Sequence, residues 1–336
     1  MVKGVRIAFV GDVHSSFTQH DCDILSQFFD VHMISLPKKM GQWFTLAIQL
    51  VREVRRCDLS FCWFASPFSA FTVLLSRVFN KKSVVVVGGY DAAYLPEFSY
   101  GAFTNLKEKI PAVYIYKHAD KILVVNQALK DEIIKNAHVS GETIEFLPTG
   151  FDPKFWKPNG TKENLVITVA GANTILRVKI KGLETFVGAA ADCPNTRFLL
   201  ISVTDLAKEY LKKLAPNNVE FAGYLSQHEI LSYYQKAKVY CQLSLREGLP
   251  TALCEAMLCE CIPVGSEAIG VQSVIGDTGF SVKYGDSKQA ATMIQRALAS
   301  GDEQGKNARE RIISLFHEEK KKQRLQQVIL EIVSKK

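Results

Sequence analysis

Twelve short runs of apolar, β-branched residues punctuate this chain, each followed by an amphipathic stretch, and that alternation leaves few folds open. A strand that is apolar on both faces must be covered on both, so the pattern predicts parallel sheets with helices above and below. Six runs come first, at residues 5–10, 31–35, 58–64, 83–87, 121–125 and 143–147. A segment rich in Pro and Gly, residues 148–160, then interrupts the rhythm, and six more runs follow at 165–170, 197–202, 219–221, 239–243, 262–264 and 280–282. The expectation is an α/β chain of two doubly wound, Rossmann-like domains with a hinge at the interruption. Ligands of such sheets sit outside the carboxyl ends of the strands, at the topological switch point, so two domains facing a central cleft would enclose two substrates.

Composition agrees. At 336 residues, 47% hydrophobic and 22% charged, the chain can bury two ordinary cores. The formal charge of +7 would suit acidic partners such as a nucleotide diphosphate or an anionic membrane surface, though surplus lysine also serves solubility; no nucleic-acid partner is expected. The eight cysteines are scattered through apolar segments, with no C-x-x-C pair and no histidines at zinc spacing. Buried thiols in a reducing, cytoplasmic compartment are the expectation. No signal peptide is visible, because Met1 to Gly4 lead at once into an apolar run. Residues 59–76 carry no charge, but Pro67 and several hydroxyl residues make them read as a strand, a turn and a core helix at 68–79 instead of a membrane span.

The stretch from Ser244 to Met257 places Glu247 and Glu255 in an E-x7-E frame around the start of a helix, Glu247 in the turn and Glu255 inside. Gly248 lets the backbone approach a ligand, Pro250 suits a first helical turn, and the N–H groups of Leu249 and Thr251 would point outward as an anion site. A phosphate could sit there, while a carboxylate about one and a half turns further on could accept hydrogen bonds from the diol of a ribose. Taken singly, two glutamates so spaced are usually solvated charges, and Lys181-Gly182 usually just starts a helix.

Order and co-occurrence change that reading. The segment Glu255-Ala256-Met257-Leu258-Cys259, continuing through Pro263-Val264 to Asp277-Thr278-Gly279, resembles the "E-A-M-A-C-G-x-P-V … D-G-x-x-G" signature of the retaining glycosyltransferases of family 4, also called group 1, which have the GT-B fold. Phe146 to Asp152 is similar to that family's "I-P-N-G-V-D" linker, Ala119 to Leu129 to its "A-D-x-V-I-x-x-S-x-x-L", and Lys181-Gly182 to its phosphate lysine, so the likeness spans residues 119–330. The resemblance implies hexosyl transfer from a nucleotide-diphosphate sugar to an acceptor hydroxyl, with retention of configuration, no metal and no cofactor beyond the co-substrate. The acceptor would be a glycan, a lipid-linked sugar or a small molecule, and a peripheral position at the inner membrane face would be compatible with it. It further implies domains at 1–157 and 158–310, with a helix in 311–336 returning to the first; the basic tail reads as two helices.

Transfer of this kind needs cations or dipoles where negative charge grows on the leaving diphosphate. Lys181 is the first candidate, helped by the helix start at 249–251. Arg177 is an inferred substitute for an arginine that the family carries nearer the preceding strand, where this chain has Gly171-Ala172-Asn173; a solvated loop arginine is the alternative. Glu247 would reach the donor sugar as a positioning and electrostatic group, Glu255 the ribose, and Gly223-Tyr224 the base, although Tyr224 could equally be packing. In the first half, Gly11 opens the loop where the donor phosphate passes in the family. The family's histidine after the fourth strand is replaced by Gly88-Gly89-Tyr90-Asp91, where Asp91 is either a catalytic substitute or the cap of a plain turn.

Two other chemistries compete. Gly11-Asp12-Val13-His14 is also how metallophosphoesterases begin, but their G-D-x-x-D and G-N-H-D/E segments are missing. Asp21-Cys22-Asp23 is formally a D-x-D metal clamp, yet it falls in an expected early helix. A catalytically degenerate GT-B module that only binds a sugar or partner is the third reading.

Overall fold

The computed structural model describes residues 4–13, 15–36 and 43–334; His14, half of the phosphoesterase-like pair, lies outside them. The chain divides into two compact units, residues 1–150 with 319–336, and residues 151–318. In the first, β1 (Arg6–Gly11), α1 (Ser16–Ser26), β2 (Asp30–Ser35), α2 (Trp43–Arg56), β3 (Leu59–Trp63), α3 (Pro67–Val78), β4 (Lys82–Val87), α4 (Leu106–His118), β5 (Lys121–Val124), α5 (Gln127–Ala137) and β6 (Ile144–Phe146) alternate as expected. All six strands are parallel, in the order β2-β1-β3-β4-β5-β6.

Burial explains the pattern. Every residue of β3 is buried, as are five of the six in β4, so both faces need covering. Helix α3 starts where Ser66 accepts a hydrogen bond from the Ser69 amide and Pro67 takes the first turn, the signals that set this segment apart from a membrane span. Among the described residues no helix is long and apolar enough to cross a membrane.

The second unit repeats the plan with β7 (Glu163–Ala172), α6 (Ile175–Ile180), α7 (Leu183–Ala191), β8 (Arg197–Val203), α8 (Asp205–Leu214), β9 (Val219–Ala222), α9 (Gln227–Lys236), β10 (Ala237–Gln242), α10 (Thr251–Leu258), β11 (Ile262–Ser266), α11 (Ile269–Ile275), β12 (Phe280–Val282), α12 (Ser287–Ala299) and α13 (Asp302–Phe316). Its parallel order is β12-β11-β10-β7-β8-β9, so the chain leaves β9 on one side and re-enters at β10 on the other, beside β7. The switch point therefore lies between the carboxyl ends of β7 and β10.

The boundaries differ from those expected. Residues 151–157 belong to the second unit because Phe151 and Trp156 are buried in its core, Trp156 against Tyr234 with ring centroids 5.7 Å apart. Helix α14 (Glu318–Ser334) packs in the first unit, held by two ion pairs. Lys321 Nζ lies 3.2 Å from Asp21 Oδ1 in α1, both side chains almost wholly buried, and the Trp63 indole donates to Asp21 Oδ2 at 3.1 Å. Arg324 Nε donates to Glu145 at 2.6 Å. Asp21 is thus consumed by packing, which removes the D-x-D clamp as a reading. A buried ion pair of this kind contributes little net stability, but breaking it by removing one partner is costly.

Candidate functional site

The turn between α6 and α7 is pinned to the chain leaving β10. Lys181 caps the C-terminus of α6, and Gly182 follows at φ +63°, where a Cβ would lie 1.9 Å from the Leu243 carbonyl oxygen. Only glycine combines that left-handed backbone with so close an approach. Across the same joint the Leu245 amide donates to the Ile180 carbonyl at 2.8 Å. Gly270 of α11 abuts the next residues, since a Cβ there would fall 2.2 Å from the Glu247 carbonyl oxygen. These approaches bring Lys181 Nζ to 2.8 Å from Glu247 Oε1 at the switch point, although 66 residues separate them in sequence.

A buried polar row lies beneath that pair. Tyr240, Gln242 and Ser244 stand at alternate positions along β10 and its continuation, each under 5% exposed. The Tyr240 hydroxyl donates to Gln242 Oε1 at 3.2 Å; Gln242 Nε2 donates to Glu247 Oε1 at 2.9 Å, and Ser244 Oγ to the same oxygen at 2.7 Å. Glu247 Oε1 thus accepts from an ammonium, an amide and a hydroxyl, while its Oε2 accepts from none of the described residues and is not sealed off. A carboxylate fixed by one oxygen and open at the other is a preorganised acceptor.

Helix α10 begins at Thr251, with Pro250 at the N-cap and not in the first turn, and no side chain caps it. Its first amides are left for a ligand, where the helix dipole favours an anion. Gly248 is buried and Leu249 packs partly into the core. About one turn on from Thr251, Glu255 is half-buried and accepts from the Tyr234 hydroxyl at 3.4 Å. Burial pushes its carboxyl up to about 8, against the pull of that hydrogen bond.

The remaining candidates scatter. Tyr224 is 86% exposed, so it is no packing residue, and nothing stands within 4 Å of where a Cβ on Gly223 would be. Arg177 is exposed in the first turn of α6 and joins neither Lys181 nor Glu247. In the first unit, Gly11 is the last residue of β1, and a Cβ there would overlap the Thr18 methyl at 2.5 Å, a packing reason for glycine. Asp91 is 3% exposed and its two oxygens accept from the Ala65 amide at 3.0 Å and the Gly89 amide at 2.8 Å. Burial pushes its carboxyl up and those amides hold it down. The geometry is that of the capped turn, tying the Gly88–Gly89 loop to the end of β3, and a catalytic role would have to use the lone pairs left over. Among the described residues no three His, Cys, Asp or Glu side chains gather in a way that could hold a metal.

Sequence reasoning missed Gln242, Ser244, Tyr240 and Gly270. The first three were visible as polar residues at period two, leading to Glu247 along an otherwise apolar strand.

Three comparisons bear on this geometry. The family model for glycosyl transferases group 1 matches residues 158–326. The MMP α-(1→4)-mannosyltransferase of Mycolicibacterium hassiacum is 26% identical over 223 residues, 60% of this chain and 52% of the relative; the chain spans just over half the length of the curated relatives it matches. Among solved structures, Alr3699/HepE of Anabaena in complex with UDP and glucose superposes with a TM-score of 0.80 at 17% identity, covering 98% of this chain and 100% of that one. The sucrose-phosphate synthase of Thermosynechococcus elongatus gives 0.79 at 17% identity, covering 99% and 100%. The two six-stranded parallel sheets are the GT-B architecture of those neighbours. With Lys181, Glu247 and Glu255 all inside a family match that covers half of its length, the chain belongs to the group 1 glycosyl transferases.

Proposed function

We propose that the chain transfers a sugar from a nucleotide-diphosphate sugar to an acceptor hydroxyl, with retention of anomeric configuration and without a metal ion. The observation that carries this reading is the Glu247 carboxylate, anchored through Oε1 and open at Oε2, beside Lys181 and the uncapped start of α10. In this arrangement the ammonium of Lys181 and the first amides of α10 meet the charge that grows on the diphosphate as the glycosidic bond breaks. Glu247 Oε2 holds a hydroxyl of the donor sugar, and Glu255 accepts from the ribose diol in its ionised form. Tyr224, fully open to solvent, offers its ring to the base. Retention is read as front-face attack, in which the leaving phosphate helps take the acceptor proton, so no nucleophile is assigned.

The names of the similar proteins support the donor class: the Anabaena neighbour is described in complex with UDP-glucose, and the mycobacterial relative as a mannosyltransferase. Thermal-shift screening against UDP-, GDP- and ADP-sugars tests the reading, since a ligand at 100 times its Kd adds about 2.7 kcal/mol. The stereochemistry of the anomeric proton in the product tests retention, and turnover that persists in EDTA tests independence from metal. Donor binding without turnover on any acceptor would favour the module that only binds.

A further inference from the structure

Helix α2 has more apolar surface than its place in the fold requires. Leu46, Leu50 and Val54, four residues apart, are buried and make its core stripe. A second stripe, Phe44, Ile48 and Val51, follows helical spacing on the outer side, with Phe44 77% and Ile48 56% exposed. Arg55 continues that stripe, Arg52 and Arg56 flank it, and Ala47, Ile48, Val51 and the three arginines line one open groove. The helix's single acid, Glu53, is turned from the stripe toward the first unit's core and lies 3.9 Å from His32 and 3.6 Å from Arg52, so Arg52 is paired, while among the described residues no ion pair engages Arg55 or Arg56.

The neighbouring helices extend this surface. Helices α2, α3 and α4 lie side by side on one face of the first sheet, because the β2–β3, β3–β4 and β4–β5 crossovers run in one direction across it with the same hand. Trp43 of α2 meets Phe68 of α3 with ring centroids 5.2 Å apart. Leu74 and Val78 of α3, and Leu106 and Ile110 of α4, are exposed as well, so these three helices carry eight of the eighteen large exposed hydrophobics among the described residues. The helices also point the same way, which gathers their last turns, bearing Arg55, Arg56, Arg77 and Lys117, at one edge.

We propose that this face docks on a membrane surface rich in anionic lipid, with Phe44, Ile48 and Val51 entering the headgroup boundary and the arginines meeting lipid phosphates. Apolar patches of this extent on a soluble unit mark an interaction surface, and an interfacial helix combines an apolar stripe with flanking cations. The charge identifies the occupant: Arg52, Arg55 and Arg56 close the C-terminal half of the exposed stripe of α2, beside Ile48 and Val51, and Arg77 and Lys117 continue a cationic edge where the three helices end. The edge in question is opposite the carboxyl ends of the strands, so docking leaves those ends open. The inference rests on the first unit alone and holds whatever the second unit binds.

Sedimentation of the full chain with phosphatidylcholine vesicles, with and without phosphatidylglycerol, tests it. Binding is expected only with the anionic lipid and is expected to weaken in high salt. Replacing Arg52, Arg55 and Arg56 by Ala should lower the partition coefficient about a hundredfold, at about fivefold per charge. Phe44→Asp with Ile48→Asp should abolish binding without lowering the melting temperature, because both side chains are exposed, whereas Leu214→Asp on the second unit should change nothing. No binding to the anionic vesicles overturns the proposal, as does binding that survives Phe44→Asp with Ile48→Asp. A dimer that those two substitutions dissociate would also overturn it, by giving the face to a second copy of the chain.

Discussion

Lys181 and Glu247 neutralise each other in the ligand-free site, so replacing one should not have the same effect as replacing the other. Their side chains are 21% and 12% exposed and 2.8 Å apart, which sets the pair between a surface salt bridge and a buried one. Lys181→Met removes the cation proposed to meet the diphosphate, and a charge-assisted hydrogen bond is worth about 1.5–3 kcal/mol, so the Kd for UDP should rise by about 10- to 150-fold. Glu247→Gln removes the carboxylate that competes for the ammonium. Gln242 and Ser244 still hold the side-chain oxygen, and UDP affinity should stay level or improve by up to about fivefold, near 1 kcal/mol. Sugar transfer in Glu247→Gln should nevertheless collapse, because the open oxygen no longer carries charge. Calorimetric titration of UDP into both variants, with turnover measured alongside, separates the two effects. Equal loss of UDP affinity in both variants, or none in Lys181→Met, would refute the assignment.

Other outcomes follow from the same geometry. Glu255 keeps its proton in the folded chain up to about pH 8 while the unfolded chain releases it near 4.5, so stability should fall as pH rises through that window, by up to about 1.4 kcal/mol per pH unit; Glu255→Gln should flatten the urea-midpoint profile. The ribose contact proposed for Glu255 needs the ionised form, so nucleotide affinity of the wild type should climb toward pH 8 and that of Glu255→Gln should not. Asp91→Asn turns an amide NH2 toward one of two backbone donors and should cost about 1–3 kcal/mol by chemical denaturation, an effect a solvent-facing catalytic aspartate would not show. Gly182→Ala combines a left-handed backbone, about 1–2 kcal/mol, with overlap on the Leu243 carbonyl; it should lower the melting temperature and weaken UDP binding by displacing Lys181, and a variant as stable as wild type would contradict the joint described above.

The twelve strands were legible because a run buried on both faces announces itself locally, as β3 and β4 do. That Lys181 and Glu247 serve one site was expected only through the order of motifs, and their ion pair was not foreseen, since no local pattern tells that β7 and β10 become neighbours. Asp91 was undecided in the sequence for a physical reason: its role depends on an amide from Ala65, 26 residues away, that only the packed loop supplies. The domain boundary slipped by seven residues because Trp156 reads as linker in a Pro-rich stretch, whereas its ring is core against Tyr234. Gln242 and Ser244 could have been found, because buried amide and hydroxyl groups on and just beyond a central strand require partners, and Glu247 was the nearest acid.

The buried pair of Lys321 with Asp21 bears on the order in which this protein can be finished on the ribosome. The sheet of the first unit is complete in sequence by Phe146, yet the cation that compensates Asp21 is encoded 300 residues after it, beyond the whole of the second unit. At about 5–20 residues per second, synthesis of the 171 residues from Phe151 to Lys321 takes on the order of 10–30 s. For that interval Asp21 has, among the described residues, only the Trp63 indole, and the nascent first unit must either admit water around a carboxylate meant to be dry or keep α1 loosely held. The second unit is contiguous in sequence and faces no such wait, so the part of the chain made later is the part that can close first.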